Sequence, residues 1–171
     1  KALEHALINH PDANNLVITG DLTHSGKKSE YQVLRKILSN IKIPTHLLMG
    51  NHDNRKNFVA VFPESKLDQG GFVQNKILIK DNTFLFLDTL DTSPPLTQHN
   101  KGKLCKYRLN WLREQLNCSI SKRIIIFMHH PPFKVGFNGM DLIRLQNEDG
   151  FFEIISNCKK VIHIVAGHIH R

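Results

Sequence analysis

The stretch Ile124-Ile125-Ile126-Phe127-Met128 runs without a break into His129-His130-Pro131-Pro132. The first half is short, branched and apolar at every position, as in a strand covered on both faces of a parallel sheet, where alternation with polar residues is lost. The second half changes abruptly to imidazoles and prolines. Three other stretches have the same form. Leu16–Thr19 leads into Gly20-Asp21. His46–Met49 leads into Gly50-Asn51-His52-Asp53. Val161–Val165 leads, through Ala166, into Gly167-His168-Ile169-His170. Helical spacing appears between these runs: Ser29–Ile41 places Tyr31, Leu34, Leu38 and Ile41 on one face, Leu109–Leu116 does so with Leu109, Leu112 and Leu116, and Asp149–Cys158 with Phe152 and Ile155. Strand–helix alternation of this kind predicts an α/β fold.

The middle of the chain departs from this rhythm. Phe72–Lys80 and Thr83–Asp88 flank Asp81-Asn82 and read as a hairpin. Thr92–Lys103, with Pro94-Pro95 and Gly102, reads as a loop. No domain boundary shows, so residues 1–171 are expected to form a single domain.

Composition narrows the function classes. The 171 residues are 40% hydrophobic and 22% charged, ordinary values for a globular protein, and no apolar run nears the roughly 20 residues of a membrane span. Lys1–Pro11 has no apolar core of a signal peptide. The cysteines, Cys105, Cys118 and Cys158, have neither the number nor the spacing of a disulfide scaffold or thiolate zinc site, which fits a reducing cytoplasm. The formal charge of +8 favours anionic ligands, yet it is scattered in pairs such as Lys27-Lys28 and Lys122-Arg123. No basic stripe interleaved with aromatics marks a nucleic-acid binder. Membrane association and specific nucleic-acid binding are therefore not expected, and a homodimer is left open.

Ligands of open α/β sheets bind beyond the carboxyl ends of the strands. If the four apolar strands run parallel, their polar clusters converge there. They would bring a carboxylate, an amide oxygen and several imidazoles together, a nitrogen and oxygen set that suits Mn, Fe or Zn better than Mg or Ca. His163, inside the last apolar run, reads as a packed residue, and Trp111 as helix packing.

These motifs, in this order, resemble the calcineurin-like metallophosphoesterases, whose pattern is D-x-H, G-D, G-N-H-D or G-N-H-E, a His-rich strand end and G-H-x-H. The nearer likeness is to the class III bacterial 3',5'-cyclic nucleotide phosphodiesterases. It lies at Gly20–Tyr31 (GDLTHSGKKSEY), at Leu87–Leu90 (LDTL), in HHPPF and the Met140-Asp141 that follows it, and at Arg171. The resemblance implies a four-layer α/β/β/α sandwich, here incomplete at both ends, because no D-x-H precedes Asp21 and the chain stops at Arg171.

It also implies two metal ions and a small phosphodiester or nucleotide substrate such as cAMP. Asp21 would bridge the ions. Asn51, His129 and His168 would join it around one, and His170 would join it around the other. His129 takes the ligand place because relatives with a single histidine there have it two residues before the proline. His130 would support the ligands from behind. His52 would contact the phosphate and help the leaving oxygen depart, and Asp53 would orient His52 or its loop. Apart from the resemblance, a Lys or Arg near the mouth would add attraction for the anion, with Arg55 and Arg171 as candidates. Other hydrolases of the same superfamily, acting on glycerophosphodiesters, nucleotides or phosphomonoesters, are the alternative, as is a non-catalytic scaffold on the same fold.

Overall fold

The computed structural model describes residues 2–65, 67–93 and 100–169. In chain order the elements are α1 (Ala2–Asn9), β1 (Leu16–Ile18), α2 (Lys28–Leu38), β2 (Thr45–Leu47), α3 (Arg55–Val61), β3 (Asn75–Ile79), β4 (Asn82–Phe86), α4 (Lys106–Asn117), β5 (Arg123–Met128), α5 (Asn138–Leu142), α6 (Glu148–Ser156) and β6 (Val161–Ala166). The fold is α/β, and the expected strands and helices are present with shifted ends. Helices α1, α3 and α5 have no counterpart in the sequence reading.

The apolar runs do not share one sheet. β1 and β2 form a parallel two-stranded sheet, and β3-β4-β5-β6 form a second in that order. Only β3 runs antiparallel to its neighbour; β4, β5 and β6 are parallel. The hairpin turns one residue earlier than the sequence suggests. Ile79 pairs with Asn82, so Lys80-Asp81 makes the turn, with Lys80 at φ 53°.

Each sheet carries a helix pair. On β4 and β5, Leu85, Ile124, Ile126 and Met128 are buried against Leu112 and Leu116 of α4 and Phe151 and Ile154 of α6. Tyr31 of α2 and Phe58 of α3 bury with Phe62, Met49, Val73 and Leu90, against which Leu47 of β2 packs. The other faces of the sheets meet through His46 of β2, which stacks on Phe86 of β4 at 4.9 Å, and Phe86 stacks on Phe127 of β5. This contact explains the missing alternation in β5: Ile124, Ile126 and Met128 point to the helices, Phe127 to the inter-sheet layer. A cavity of about 310 Å³ remains in that layer, lined by Val17, His46, Ile77, Ile79, Phe84 and Phe86 among others.

Local chemistry sets the helix ends. Glu30 accepts from the Lys27 backbone at 2.9 Å and from Ser25, tying the loop to the first turn of α2. Asn54 caps α3 by accepting from the Asn57 backbone at 3.0 Å. β6 is the outer strand of its sheet, with β5 as its only partner among the described residues. Accordingly Ile162, His163 and Val165 are exposed, which corrects the expectation that His163 is a packed residue.

Candidate metal centre

The carboxyl ends of β1, β2, β5 and β6 meet although the strands belong to two sheets. The seam between them is made of close backbone approaches. A Cβ on Gly20 would lie 2.4 Å from the His129 ring and 2.8 Å from the Gly50 nitrogen, and one on Gly50 would lie 2.2 Å from the Asp21 backbone nitrogen and Oδ1. No side chain fits at either position. Asp21 and His168 themselves sit at φ 50° and 68°, a region that costs a non-glycine residue about 1–3 kcal/mol and is often found where a site holds its groups in place.

Four of the expected ligands come together. His129 Nε2 lies 3.0 Å from His168 Nδ1, 3.2 Å from Asn51 Oδ1 and 3.5 Å from Asp21 Oδ1. The other ring nitrogen of His129, Nδ1, is 2.7 Å from the Thr19 carbonyl oxygen, which can only accept. Nδ1 therefore carries the proton, and Nε2 of the neutral ring presents a lone pair to the cluster. Lone pairs packed this closely repel one another unless a proton or cation lies among them. The donor set, two imidazole nitrogens, an amide oxygen and a carboxylate with no thiolate, fits Mn, Fe or Zn. His170 lies outside the described residues, as does Arg171.

His130 is also drawn in. Ring nitrogens of His129, His130 and His168 lie within 4.8 Å of one another, and all three residues are buried. Burial holds the His130 ring well below the usual histidine range, helped by the neighbouring His129, His168 and Arg108 and opposed by the Asn100 backbone. Its Nδ1 lies 2.8 Å from Thr89 Oγ1.

His52 is exposed at the edge of the cluster. Its Nδ1–H donates to the His24 carbonyl at 2.8 Å, its ring stacks on His24 at 5.6 Å, and its backbone N–H donates to Asp21 Oδ1 at 3.1 Å. Its Nε2 is the ring nitrogen left to face a ligand. Asp53 staples loops rather than touching the His52 ring. Its carboxylate accepts from the backbones of Leu22 and Gly50, from the Thr23 hydroxyl and, at 2.9 Å, from the Tyr31 hydroxyl. Burial pushes its pKa up to about 6 despite these donors, and burial followed by the Asp53 charge raises that of Tyr31.

Arg55 is not a free cation at the mouth. It donates Nε and Nη2 to the fully buried Asp88 at 2.6 and 2.7 Å. Asp88 also accepts from the Val73 and Leu90 backbones, and Arg108 lies 3.9 Å from it. Phe72 packs against both guanidinium groups. A charge search along the sequence finds Arg55 but not Asp88, 33 residues away. Thr89 was missed for a similar reason: nothing in its spacing pairs it with His130.

Comparison with known proteins identifies relatives of this chain. The calcineurin-like phosphoesterase family profile matches residues 1–171. A Rhodopseudomonas palustris protein named as a probable cyclic nucleotide phosphodiesterase is 39% identical over 163 residues, covering 95% of this chain and 58% of that protein. The glycerophosphodiester phosphodiesterase GpdQ of Enterobacter lignolyticus is 32% identical over 166 residues, covering 97% and 58%. The chain thus spans 58% of the length of each of these two relatives. Among solved structures, PhoD superposes with a TM-score of 0.61 at 13% identity, covering 91% of this chain and 46% of that one, a likeness of fold. With its motifs at the ends of β1, β2, β5 and β6 and the profile matching its whole length, this chain belongs to the calcineurin-like phosphoesterase family.

Proposed function

We propose that the protein hydrolyses small phosphodiesters, foremost 3',5'-cyclic nucleotides such as cAMP, at a two-metal centre. Asp21, Asn51, His129 and His168 hold one ion, and Asp21 and His170 contribute to the other; Mn, Fe and Zn all suit these donors. The observation that carries the reading is the convergence of three atoms, His168 Nδ1, Asn51 Oδ1 and Asp21 Oδ1, on His129 Nε2. The name of the Rhodopseudomonas relative favours cyclic nucleotides.

When bound, the ions supply positive charge for the phosphoryl oxygens and make a water acidic enough to ionise near neutral pH. The chain's own residues do the rest. Thr19 holds the His129 ring so that Nε2 faces inward. The His24 carbonyl fixes His52 by its Nδ1–H, leaving Nε2 to contact a phosphoryl oxygen and, when protonated, to give a proton to the departing alkoxide. Asp53 keeps the Gly20–Thr23 and Gly50–Asp53 loops in register. The Enterobacter relative's name supports a second reading, glycerophosphodiesters as substrate at the same site.

Turnover of cAMP, cGMP and a glycerophosphodiester in Mn²⁺, with and without His52→Ala, tests this. Cyclic-nucleotide turnover that falls about 10²–10⁴-fold in the variant supports the reading. Preference for the glycerophosphodiester would support the second reading. Binding of metal with no hydrolysis and no effect of the variant would point to a scaffold.

A further inference from the structure

The two histidines that end β5 have Nδ1 atoms facing different chemistry. His129 faces a carbonyl, which fixes its proton on Nδ1. His130 faces the Thr89 hydroxyl at 2.8 Å. That oxygen already accepts the His130 backbone N–H at 3.3 Å, and Thr89 is fully buried. Its own proton needs an acceptor, and the only one it meets among the described residues is His130 Nδ1.

We infer that Thr89 donates to His130 Nδ1, that the His130 proton therefore sits on Nε2, and that His130 is a hydrogen-bond donor beside the metal centre rather than one of its ligands. The inference rests on the metal reading of the site. His130 Nε2 is buried and has no hydrogen-bond partner among the described residues. The ring centroid lies 4.8 Å from that of His129 and 4.7 Å from that of His168. An N–H held there suits an oxygen or lone-pair acceptor within the buried cluster. The same assignment turns His130's lone pair away from the cluster and keeps it from competing with His129 and His168 for the ion.

Thr89 is placed for this task by the charges around it. Arg108 Nη1 donates to the Asp88 carbonyl at 2.6 Å and to the Leu90 carbonyl at 3.0 Å, so the backbone is clamped on both sides of Thr89. Arg55 also donates to the Leu90 carbonyl. Lys103 N–H donates to the Thr89 carbonyl at 3.0 Å. Thr89 is thus a positioning residue, acting on the site through His130.

Long-range nitrogen–proton correlation spectra of the metal-free chain report which nitrogen of each ring is protonated. The expected pattern is Nδ1–H for His129 and Nε2–H for His130. Thr89→Val should move His130 toward Nδ1–H and weaken Mn²⁺ binding by about 10–100-fold, the usual effect of losing a group that orients a metal site, while Thr89→Ser keeps both properties. Nδ1–H on His130 in the unaltered chain, or an unchanged His130 tautomer in Thr89→Val, overturns the inference. Cadmium NMR adds a direct view of the ligands: coupling to His129 and His168 without coupling to His130 supports the assignment, and coupling to His130 overturns it. Absence of cadmium coupling at any histidine contradicts the metal reading instead, and the metal-free spectra then decide the Thr89–His130 assignment by themselves.

Discussion

Replacing Asp88 by Asn removes one charge and almost no volume, yet the structure makes it among the costliest of conservative changes. The carboxylate is fully buried and accepts from Arg55 Nε and Nη2 at 2.6 and 2.7 Å, Val73 N at 2.9 Å and Leu90 N at 3.1 Å. An amide offers one oxygen, so its NH₂ must face N–H donors whichever way it is turned. Arg108, with a side chain only 4% exposed, cannot turn to water, and Arg55 at 16% can do so only in part. Breaking a buried ion pair by removing one partner costs about 3–5 kcal/mol. For a chain of this length each kcal/mol moves Tm by roughly 2–4 °C, so Asp88→Asn should lower Tm by about 6–20 °C. Urea unfolding followed by circular dichroism measures the change directly. Asp81→Asn is the control. Its partner Lys122 lies at a similar 2.7 Å, but both side chains are largely exposed, and loss of such a pair costs about 0–1 kcal/mol. If Asp88→Asn and Asp81→Asn fall within about 1 kcal/mol of each other, the reasoning that burial rather than distance sets the strength is refuted.

Gly50→Ala should leave the far-ultraviolet spectrum near that of the parent but weaken Mn²⁺ binding by about 10–100-fold, because the new Cβ displaces Asp21; titration calorimetry reads the loss. Burial holds the His46 pKa below the usual histidine value. The unfolded chain therefore binds a proton more readily there, and stability present above about pH 6.5 is lost as pH falls through the lowered folded value. The drop in urea midpoint on acidification should be smaller in His46→Gln, and an equal drop would show that His46 does not contribute. Leu112→Ala, at a fully buried position against β5, should cost about 2–5 kcal/mol by urea unfolding, and a loss below 1 kcal/mol would mean that α4 packs less tightly than described.

The place of the candidate site was legible where a strand stops. Branched apolar runs ending in Gly-Asp, Gly-Asn-His-Asp, His-His and Gly-His are local signals, and the structure draws Asp21, Asn51, His129 and His168 to one place. The grouping of the strands was not legible, because an apolar run says that its faces are covered but not by what. β5 is covered by helices on one side and by the inter-sheet aromatics on the other. His163 was misread because burial at β6 depends on how many neighbours the strand has, which periodicity does not carry. Arg55 looked like a free cation because its partner, Asp88, lies far along the chain. Short helices such as Arg55–Val61 hold too few turns for periodicity, and the Asn54 cap is their better sign.

The central claim, that Asp21, Asn51, His129 and His168 form a metal centre, is tested most directly by elemental analysis for Mn, Fe and Zn after gel filtration. The chain should carry at least one tightly held ion, and Asn51→Ala and His168→Ala should each lose it while remaining folded. A folded parent chain that emerges with no ion after loading, or variants that retain as much as the parent, would contradict the account.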